Sequence, residues 1–375
     1  EAMLLLTDAC DRYPADTDLL MYRAVLGYRT GKGEHPDEAI FPSEAHRQLV
    51  MGHAAMRRRA IDAAIGHFKA AQPDLPSPDL CRNLALMHMC ALDFNEARVE
   101  LRAALEIERR ARQAKQQSMN ESQSLYGQLL DEYRLDGNMA AEIRSALSGI
   151  PDVDVGSVLD IARNNPDSTL AAVILLIKMR QAGMLDAGQA RRSLSRIPRR
   201  ICQFWADGEP GDELKRYTDS WIALNPGYAY ALLTSEDGAR FLAAGDFRPE
   251  VSAAFRAARE PAVKADILRL AYLSQNGGFY ADIDDRCVKS LEHVRASGAT
   301  FFGYQEDIGS LANNILGVIP GHPVIGWALD RAVEAVLRGD GDMPWLSTGP
   351  GLLSRAFAYW LAHAEGTLAE TLSTV

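Results

Sequence analysis

The sequence has little cysteine and no apolar run long enough to cross a bilayer. Its five cysteines are scattered through 375 residues without a Cys-x-x-Cys spacing, which argues against a zinc site or a disulfide framework. No stretch approaches the roughly 20 apolar residues that a membrane-spanning helix requires. The opening segment EAMLLLTDAC also lacks the basic region of a signal peptide. We therefore predict a cytoplasmic protein with no membrane span.

Positive charge is also scarce. The formal net charge is -10 and the isoelectric point is about 5.4. An acidic chain is poorly suited to an electrostatic grip on nucleic acid or on an anionic membrane, so we predict no nucleic-acid partner. An anionic ligand would need a metal ion or a locally focused basic site. The first residue is Glu1 rather than Met, and we expect a piece or a processed form of a longer protein.

The first 150 residues have Ala, Leu, Arg and Met at helical spacing, and clusters such as QPDLPSPDL interrupt them. A shift of 34 residues relates two sets of positions, Ala63, Ile65, Ala70 and Ala71 to Ala97, Val99, Ala104 and Leu105. The segment LALMHMCALDFNEARVELRAAL resembles a tetratricopeptide repeat, and YRAVLGYRTGKGEHPDEAI resembles a diverged copy. We predict an all-α helical-repeat domain over 1–150, with an irregular helical bundle as the alternative.

The stretch SGIPDVDVGSV marks a predicted joint, and residues 151–196 contain two further helices, the first strongly apolar. Beyond residue 197, short apolar or aromatic runs alternate with helical patterns. These runs are RRICQFW, YAYALLT, GGFYADID, TFFGYQ and NILGVIP. The alternation predicts an α/β domain over 197–375, in which helices cover a sheet.

Asp-x-Asp triplets occur four times, so a triplet alone carries little information. Three of them lie among turn residues, where Asp is favoured: Asp16–Asp18, Asp152–Asp154 and Asp340–Asp342. The fourth, Asp282-Ile283-Asp284, closes a strand-like run. Because side chains alternate along a strand, we predict that Tyr280 and the two carboxylates face away from the core. Both carboxylates would then share one small volume at the strand's end.

The preceding segment, PAVKADILRLAYLSQNGG, predicts a helix that ends at Asn276, followed by two glycines. Asp266 and Arg269 are three residues apart and share a face of this helix. They could form a surface ion pair, which contributes under about 1 kcal/mol. They could also form a buried pair that binds a polar ligand.

The run KADILRLAYLSQNGGFYADID resembles the signature of the glycosyltransferases with a DXD-containing sugar-binding region, glycosyltransferase family 32. It is also similar to the catalytic domain of the large clostridial glucosylating toxins. Further segments that resemble blocks of the family are IPRRICQFWADGEP, DSWIALNPGYAYALLT, NNILGVIPGHPVIGWAL and STGPGLLSRAF, and together they cover about 197 to 360. The resemblance implies a GT-A fold, a nucleotide-sugar donor, a divalent metal ion and transfer with retention of configuration.

The resemblance also implies a role for individual residues. Asp266 and Arg269 would hold sugar hydroxyls, Asp282 would contact ribose and sugar, and Asp284 would be the direct ligand of Mn²⁺ or Mg²⁺, with Asp282 beside it. The remaining donor-site positions are Trp205, stacked on the base, Tyr280, lining the pocket, and Asn313 or Asn314, on the sugar side. Oxygen ligands suit these metals, and a metal that bridges carboxylate and diphosphate neutralises charge on the leaving nucleotide.

Two departures from the family pattern accompany this resemblance. Ala265 stands where relatives often carry Ser. The family's C-terminal His or acidic element is absent from AYWLAHAEGTLAETLSTV, so we expect either a longer chain or a differently built lid. His363, within that segment, has the helical spacing of a surface histidine.

Other functions fit the residues less well. Glycosidase carboxylates must flank the scissile bond about 5 to 9 Å apart, and no Gly-x-Gly-x-x-Gly follows a strand. The alternative from another class is a helical-repeat scaffold whose transferase-like domain binds a sugar nucleotide without catalysis. We expect an enzyme that takes a UDP-hexose, or in second place GDP-mannose, and a protein or glycan acceptor recruited by residues 1–150.

Overall fold

The computed structural model of the protein describes residues 12, 23, 27, 41, 43–135, 137–147, 155–185, 197–206, 208–339 and 342–372. The chain forms two compact units, Glu1–Val153 and Asp154–Val375. The described part of the first unit is helical. The second unit combines a five-stranded sheet with helices.

The first unit contains paired helices. They are α1 Glu44–Arg57, α2 Ile61–Ala71, α3 Pro78–Cys90, α4 Phe94–Ile107, α5 Arg109–Ala114, α6 Leu125–Leu135 and α7 Gly137–Leu147, with a 3-10 turn at Glu121–Gln123. Helix α1 packs on α2, and α3 packs on α4. Ser43 and Ser77 accept hydrogen bonds at the starts of α1 and α3, which satisfies exposed backbone N–H groups there. The predicted diverged repeat over YRAVLGYRTGKGEHPDEAI lies outside the described residues.

The two helical pairs repeat with an offset of 33 residues, not the predicted 34. Arg59 and Leu92 occupy the same place in their turns and both have positive φ, 58° and 62°. The inward positions of α2 and α4 correspond in the same register, Ile61, Ala64, Phe68 and Ala71 to Phe94, Ala97, Leu101 and Ala104. The offset of 34 matched exposed Ala63 with buried Ala97. Alanine suits either face of a helix, so identity alone set the wrong register. The tetratricopeptide arrangement stays a prediction.

The second unit contains the sheet and the remaining helices. The strands are β1 Arg200–Phe204, β2 Ala229–Leu233, β3 Gly278–Ala281, β4 Phe301–Phe302 and β5 Ile315–Val318. The helices are α8 Val155–Asn164, α9 Thr169–Gln181, α10 Asp212–Leu224, α11 Ser235–Ala244, α12 Pro249–Ala257, α13 Pro261–Asn276, α14 Glu292–Ala296, α15 Pro323–Arg338, α16 Pro344–Ser347, α17 Pro350–His363 and α18 Leu368–Leu372. Each predicted strand run contains one of these strands, so the predicted α/β character is confirmed.

The sheet is mixed, with the order β2-β1-β3-β5-β4. Strands β2, β1 and β3 are parallel, whereas β5 runs antiparallel to both β3 and β4. Parallel neighbours bring their carboxyl ends to one edge of the sheet. The residues after Phe204 and after Ala281 therefore meet at that edge, where ligands of open α/β sheets commonly bind.

The join between α13 and β3 depends on two glycines. The helix ends at Asn276, as predicted, and Gly277 and Gly278 have φ of 59° and 94°. A Cβ on Gly277 would lie 2.7 Å from Pro320, and a Cβ on Gly278 would lie 2.8 Å from the backbone oxygen of Arg200. Side chains are therefore excluded at both positions by conformation and by space. The glycines allow a buried helix to enter the middle of the sheet directly.

The strand that follows is shorter than predicted. Strand β3 ends at Ala281, and residues 283–284 form a turn. The backbone N–H of Asp285 donates to the carbonyl of Asp282 over 3.1 Å, which closes the turn and stops the strand pleat. The expectation that Asp282 and Asp284 lie on one strand face is therefore wrong. The alternation before them is confirmed, since Phe279 and Ala281 pack into the core cluster with Ile201.

Helices α8 and α9 pack against α17 within the second unit. Ten of the 13 residues of α9 are buried, as its uniformly apolar sequence predicted. Gly309 approaches Ile177 of this helix so closely that an added Cβ would lie 2.5 Å away. Helix α9 thus supports the loop between β4 and β5. None of the helices in the described ranges has both the length and the apolar character required to span a bilayer.

Candidate functional site

The candidate site lies at the carboxyl edge formed by β1 and β3. Helix α13 supplies Asp266 and Arg269, the end of β3 supplies Tyr280 and Asp282, and the segment before β5 supplies Asn313. These residues are far apart in the chain, and the parallel pairing of β1 with β3 and the antiparallel pairing of β3 with β5 bring them together. Most of the predicted donor site is therefore one connected group of side chains.

Arg269 lies between two carboxylates. Its Nη2 donates to Oδ1 of Asp282 over 2.7 Å, and its Nη1 lies 3.2 Å from Oδ1 of Asp266. The side chains of Arg269 and Asp266 are 3% and 9% exposed, and that of Asp282 is 31% exposed. Removing these charges from water is unfavourable unless they are paired. The surface ion pair considered for Asp266 and Arg269 is thereby excluded, and the pair is buried.

The carboxylate of Asp266 has a complete set of partners. Asn313 Nδ2 donates to its Oδ1 over 2.9 Å, and Thr348 Oγ1 donates to its Oδ2 over 2.7 Å. Burial raises the pKa of Asp266 to about 6, against the lowering effect of Arg269 and of these two donors. The group therefore changes charge close to neutral pH, which is unusual for Asp.

Arg269 also rests on an aromatic ring. Its guanidinium carbon is 4.4 Å from the centroid of the Tyr280 ring, within the range of a cation–π contact. Tyr280 is 1% exposed, so it supports Arg269 from below. Nε of Arg269 is buried and has no hydrogen-bond partner within the described part of the chain. An unsatisfied donor on a buried cation is costly, and an anionic or hydroxyl-bearing ligand would satisfy it.

The turn after β3 exposes one carboxylate and holds another. Asp284 is exposed, and no hydrogen bond to its side chain is found in the described ranges. Asp285 instead accepts a hydrogen bond from Asn314 Nδ2 over 2.8 Å at its Oδ2. Burial raises the pKa of Asp285 to about 6, partly opposed by the Asn314 hydrogen bond. Burial likewise raises the pKa of Asp282, against the opposing effect of Arg269, and the negative charge of Asp284 adds to the increase.

Trp205 follows β1 directly and stands at the same edge of the sheet. Its backbone N–H donates to the carbonyl of Leu233 over 2.9 Å, which continues the pairing of β1 with β2. The side chain is partly buried, and its indole Nε1 is buried without a hydrogen-bond partner in the described residues. This location is compatible with the predicted stacking on a base, which stays a prediction.

The residues present fit a divalent cation that is bound jointly by protein and ligand. Within the ranges that the structure describes, no three His, Cys, Asp or Glu side chains form a complete metal cluster. Asp284 nevertheless offers an exposed carboxylate, and Asp282 is its immediate neighbour. Mg²⁺ and related hard cations are commonly held by one or two carboxylates plus substrate phosphates and water. This donor set matches that kind of site.

Three contributors were missed by the sequence reasoning. Thr348 donates to Asp266, Gln203 donates to the backbone carbonyl of Asp282, and Asp285 accepts from Asn314. Thr348 lies in the segment STGPGLLSRAF, whose resemblance to the family could have drawn attention to it. Gln203 is a polar residue inside the apolar run RRICQFW, which was a usable signal because a buried amide needs partners.

Comparison with known proteins agrees with this geometry. Residues 211–301 match the family model "Glycosyltransferase sugar-binding region containing DXD motif". The chain carries a glycosyltransferase sugar-binding region. This match covers Asp266, Arg269, Tyr280 and the Asp282-Ile283-Asp284 triplet. The predicted resemblance to this family is thereby confirmed.

Individual relatives are also glycosyltransferases by name. An uncharacterized glycosyltransferase of Acanthamoeba polyphaga mimivirus is 30% identical over 35% of this chain and 53% of its own length. A mannosyl phosphorylinositol ceramide synthase of Saccharomyces cerevisiae is 30% identical over 46% of this chain and 45% of its own length. The chain thus spans about half the length of these curated relatives. A solved structure, the PaToxG glycosyltransferase, matches 50% of this chain and 78% of its own at 22% identity and a TM-score of 0.35.

Proposed function

We propose that the protein is a metal-dependent glycosyltransferase that moves a hexose from a nucleotide sugar to an acceptor. The observation that carries the proposal is the pairing of two different carboxylate environments at one sheet edge. Asp266 and Asp282 are tied to the buried Arg269, whereas Asp284 is exposed. The buried group suits recognition of a sugar and its phosphate, and the exposed group suits a cation.

The protein groups can be assigned separate tasks. Asp284, with Asp282 beside it, would hold Mn²⁺ or Mg²⁺. The metal would neutralise negative charge on the leaving nucleoside diphosphate. Burial disfavours the charged form of Arg269, but Asp282, Tyr280 and Asp266 raise its pKa above the ordinary value. The guanidinium therefore remains charged and can add to the binding of a diphosphate.

Asp266 is placed to recognise hydroxyl groups. Its two oxygens already accept from Asn313 and Thr348, yet a carboxylate offers about four acceptor sites. A sugar hydroxyl could therefore donate to Asp266 without breaking its present contacts. Asn313 keeps a carbonyl oxygen for the same ligand, since only its amide nitrogen bonds Asp266.

The identity of the donor is a choice between two nucleotide sugars. The resemblance noted in the sequence places UDP-hexose before GDP-mannose. The word mannosyl in the name of the Saccharomyces relative favours the reverse order. We propose a nucleoside-diphosphate hexose with mannose as the first sugar to test. Retention of configuration, a cytoplasmic location and acceptor recruitment by the helical unit remain predictions.

Calorimetric titration of UDP and GDP, each with and without Mn²⁺, tests the proposal. The same titration is made on Asp284→Ala and on Asp246→Ala. Asp246 is exposed like Asp284 but follows α11, away from the carboxyl edge of the sheet. We expect metal-dependent binding of one nucleotide in the wild type and in Asp246→Ala, and a large loss in Asp284→Ala.

The base that binds then decides which nucleotide sugars are tested for transfer and hydrolysis. If neither nucleotide binds in the presence of Mn²⁺, the catalytic proposal is contradicted and the scaffold alternative is favoured. If binding occurs equally without metal, or survives in Asp284→Ala, the metal role of Asp284 is wrong while a nucleotide site remains.

A further inference from the structure

Gln203 is a fully buried polar residue inside the sheet. It lies on β1, one residue before the end of the strand, and is 0% exposed. Its Nε2 donates to the backbone carbonyl of Asp282 over 2.9 Å, and its Oε1 accepts from the hydroxyl of Tyr230 over 2.7 Å. The amide thus connects β2, through Tyr230, to the residue that begins the exposed turn.

The backbone of Asp282 is held from several sides. Its N–H donates to the carbonyl of Asn314 over 2.8 Å, and its carbonyl accepts from the N–H of Asp285 over 3.1 Å as well as from Gln203. At the far end of the turn, Trp221 Nε1 donates to the carbonyl of Asp285 over 2.8 Å. The exposed Asp284 lies between these two anchored residues, so the anchors determine where its carboxylate points.

Gln203 is not needed simply to satisfy the Asp282 carbonyl. That carbonyl already has a backbone partner in the N–H of Asp285. A buried amide costs desolvation unless both of its ends are bonded, and an apolar side chain would avoid that cost. What the amide adds is direction, because its second bond to Tyr230 prevents it from rotating away. Outer partners of this kind orient metal ligands in proteins.

We propose that Gln203, aligned by Tyr230, is a positioning residue that sets the orientation of the Asp282–Asp285 turn and hence of the Asp284 carboxylate. The inference rests on the proposed function, in which Asp284 holds the cation. Gln203 touches neither substrate nor metal, and acts through the backbone of Asp282.

Three variants separate this role from a general packing role. Gln203→Met keeps the approximate length and volume of the side chain and removes both hydrogen bonds. Tyr230→Phe removes only the hydroxyl that aligns Gln203. Tyr228→Phe is the matched control, because the Tyr228 hydroxyl bonds Glu292 over 3.0 Å, outside the site.

Two readouts are compared on the full chain. The first is the Mn²⁺ dissociation constant in the presence of UDP or GDP, whichever binds the wild type. We expect Gln203→Met to weaken Mn²⁺ binding by about 10- to 100-fold, Tyr230→Phe to weaken it less, and Tyr228→Phe to leave it unchanged. The second readout is hydrogen–deuterium exchange of residues 282–286 without ligand, which should accelerate in the same order.

The outcomes distinguish this inference from the proposed function. If folded Gln203→Met binds Mn²⁺ as tightly as the wild type, or exchanges in the turn at the same rate, the positioning role is overturned and the proposed function stands. If Gln203→Met does not fold, Tyr230→Phe decides by the same criteria. If the wild type binds no Mn²⁺ with either nucleotide, the proposed function fails and this inference fails with it.

Discussion

Arg269 donates through Nη2 to Oδ1 of Asp282 over 2.7 Å and thereby joins helix α13 to the end of strand β3. The two glycines at the start of β3 make this short path possible, since they turn the chain from the helix into the sheet within two residues. The arginine thus has a structural role and lies in the candidate site at once. Substitutions there should change stability and ligand binding together.

Arg269→Met should be strongly destabilising. It leaves Asp266 and Asp282 without their cation, and breaking a buried pair by removing one partner typically costs about 3–5 kcal/mol. Urea unfolding at pH 7.5 measures the loss. Arg248→Met is the control, because Arg248 pairs with Asp330 over 2.9 Å at an exposed site, where about 1 kcal/mol or less is expected. Equal losses in the two variants would contradict the buried role of Arg269.

Thr348→Val should shift the pKa of Asp266 upward. The valine keeps the shape of threonine but cannot donate to Oδ2 of Asp266, and that hydrogen bond favours the charged carboxylate. We also expect a loss of about 1–3 kcal/mol for the unsatisfied buried oxygen. An NMR titration of the carboxyl carbon measures the pKa. Thr348→Ser retains the hydroxyl and should restore the wild-type value, and a failure to do so would implicate packing instead.

Stability should also depend on pH through Asp266. Its pKa is about 6 in the folded protein against an ordinary value of 3.8, so between these values the folded state holds a proton that the unfolded state releases. The stabilising contribution is fully present below pH 3.8 and is lost as the pH rises through 6. The lost contribution is at most about 3 kcal/mol, since one pKa unit corresponds to about 1.4 kcal/mol.

Metal-free urea unfolding at intervals from pH 4 to pH 7.5 tests this dependence. Asp266→Asn should have a smaller decrease in the free energy of unfolding across this interval than the wild type. Asp285, whose pKa is also raised to about 6, should preserve part of the slope in that variant. An identical slope in Asp266→Asn and the wild type would show that Asp266 does not titrate there.

The sequence alone predicted much of this site because its elements are local. The helix end at Asn276, the shared face of Asp266 and Arg269 and the alternation through Phe279 and Tyr280 follow from short-range spacing. The turn at Asp282 could not be predicted in this way. It depends on the carbonyl of Asn314, which reaches β3 only through antiparallel pairing of distant segments.

The same distinction explains the other differences. Thr348 contacts Asp266 from 82 positions away in the chain, and no periodicity links the two positions. In the helical unit, alanine occurs on buried and exposed faces alike, so a comparison of identities placed the repeat one residue out of register. The turns at Arg59 and Leu92 identify the register because positive φ is rare for residues other than glycine.

Removal of the helical unit should separate donor binding from acceptor use. The residues that form the candidate site all lie in the unit Asp154–Val375, so this segment alone should retain metal-dependent nucleotide binding within a few-fold of the full chain. Helical repeats present extended surfaces that bind partners, so transfer to the physiological acceptor should fall while hydrolysis of the nucleotide sugar continues. Calorimetry and a radiolabelled-sugar assay measure the two properties. Unchanged transfer by a folded 154–375 segment would refute acceptor recruitment by the helical unit, whereas loss of nucleotide binding would place part of the donor site in the first 153 residues.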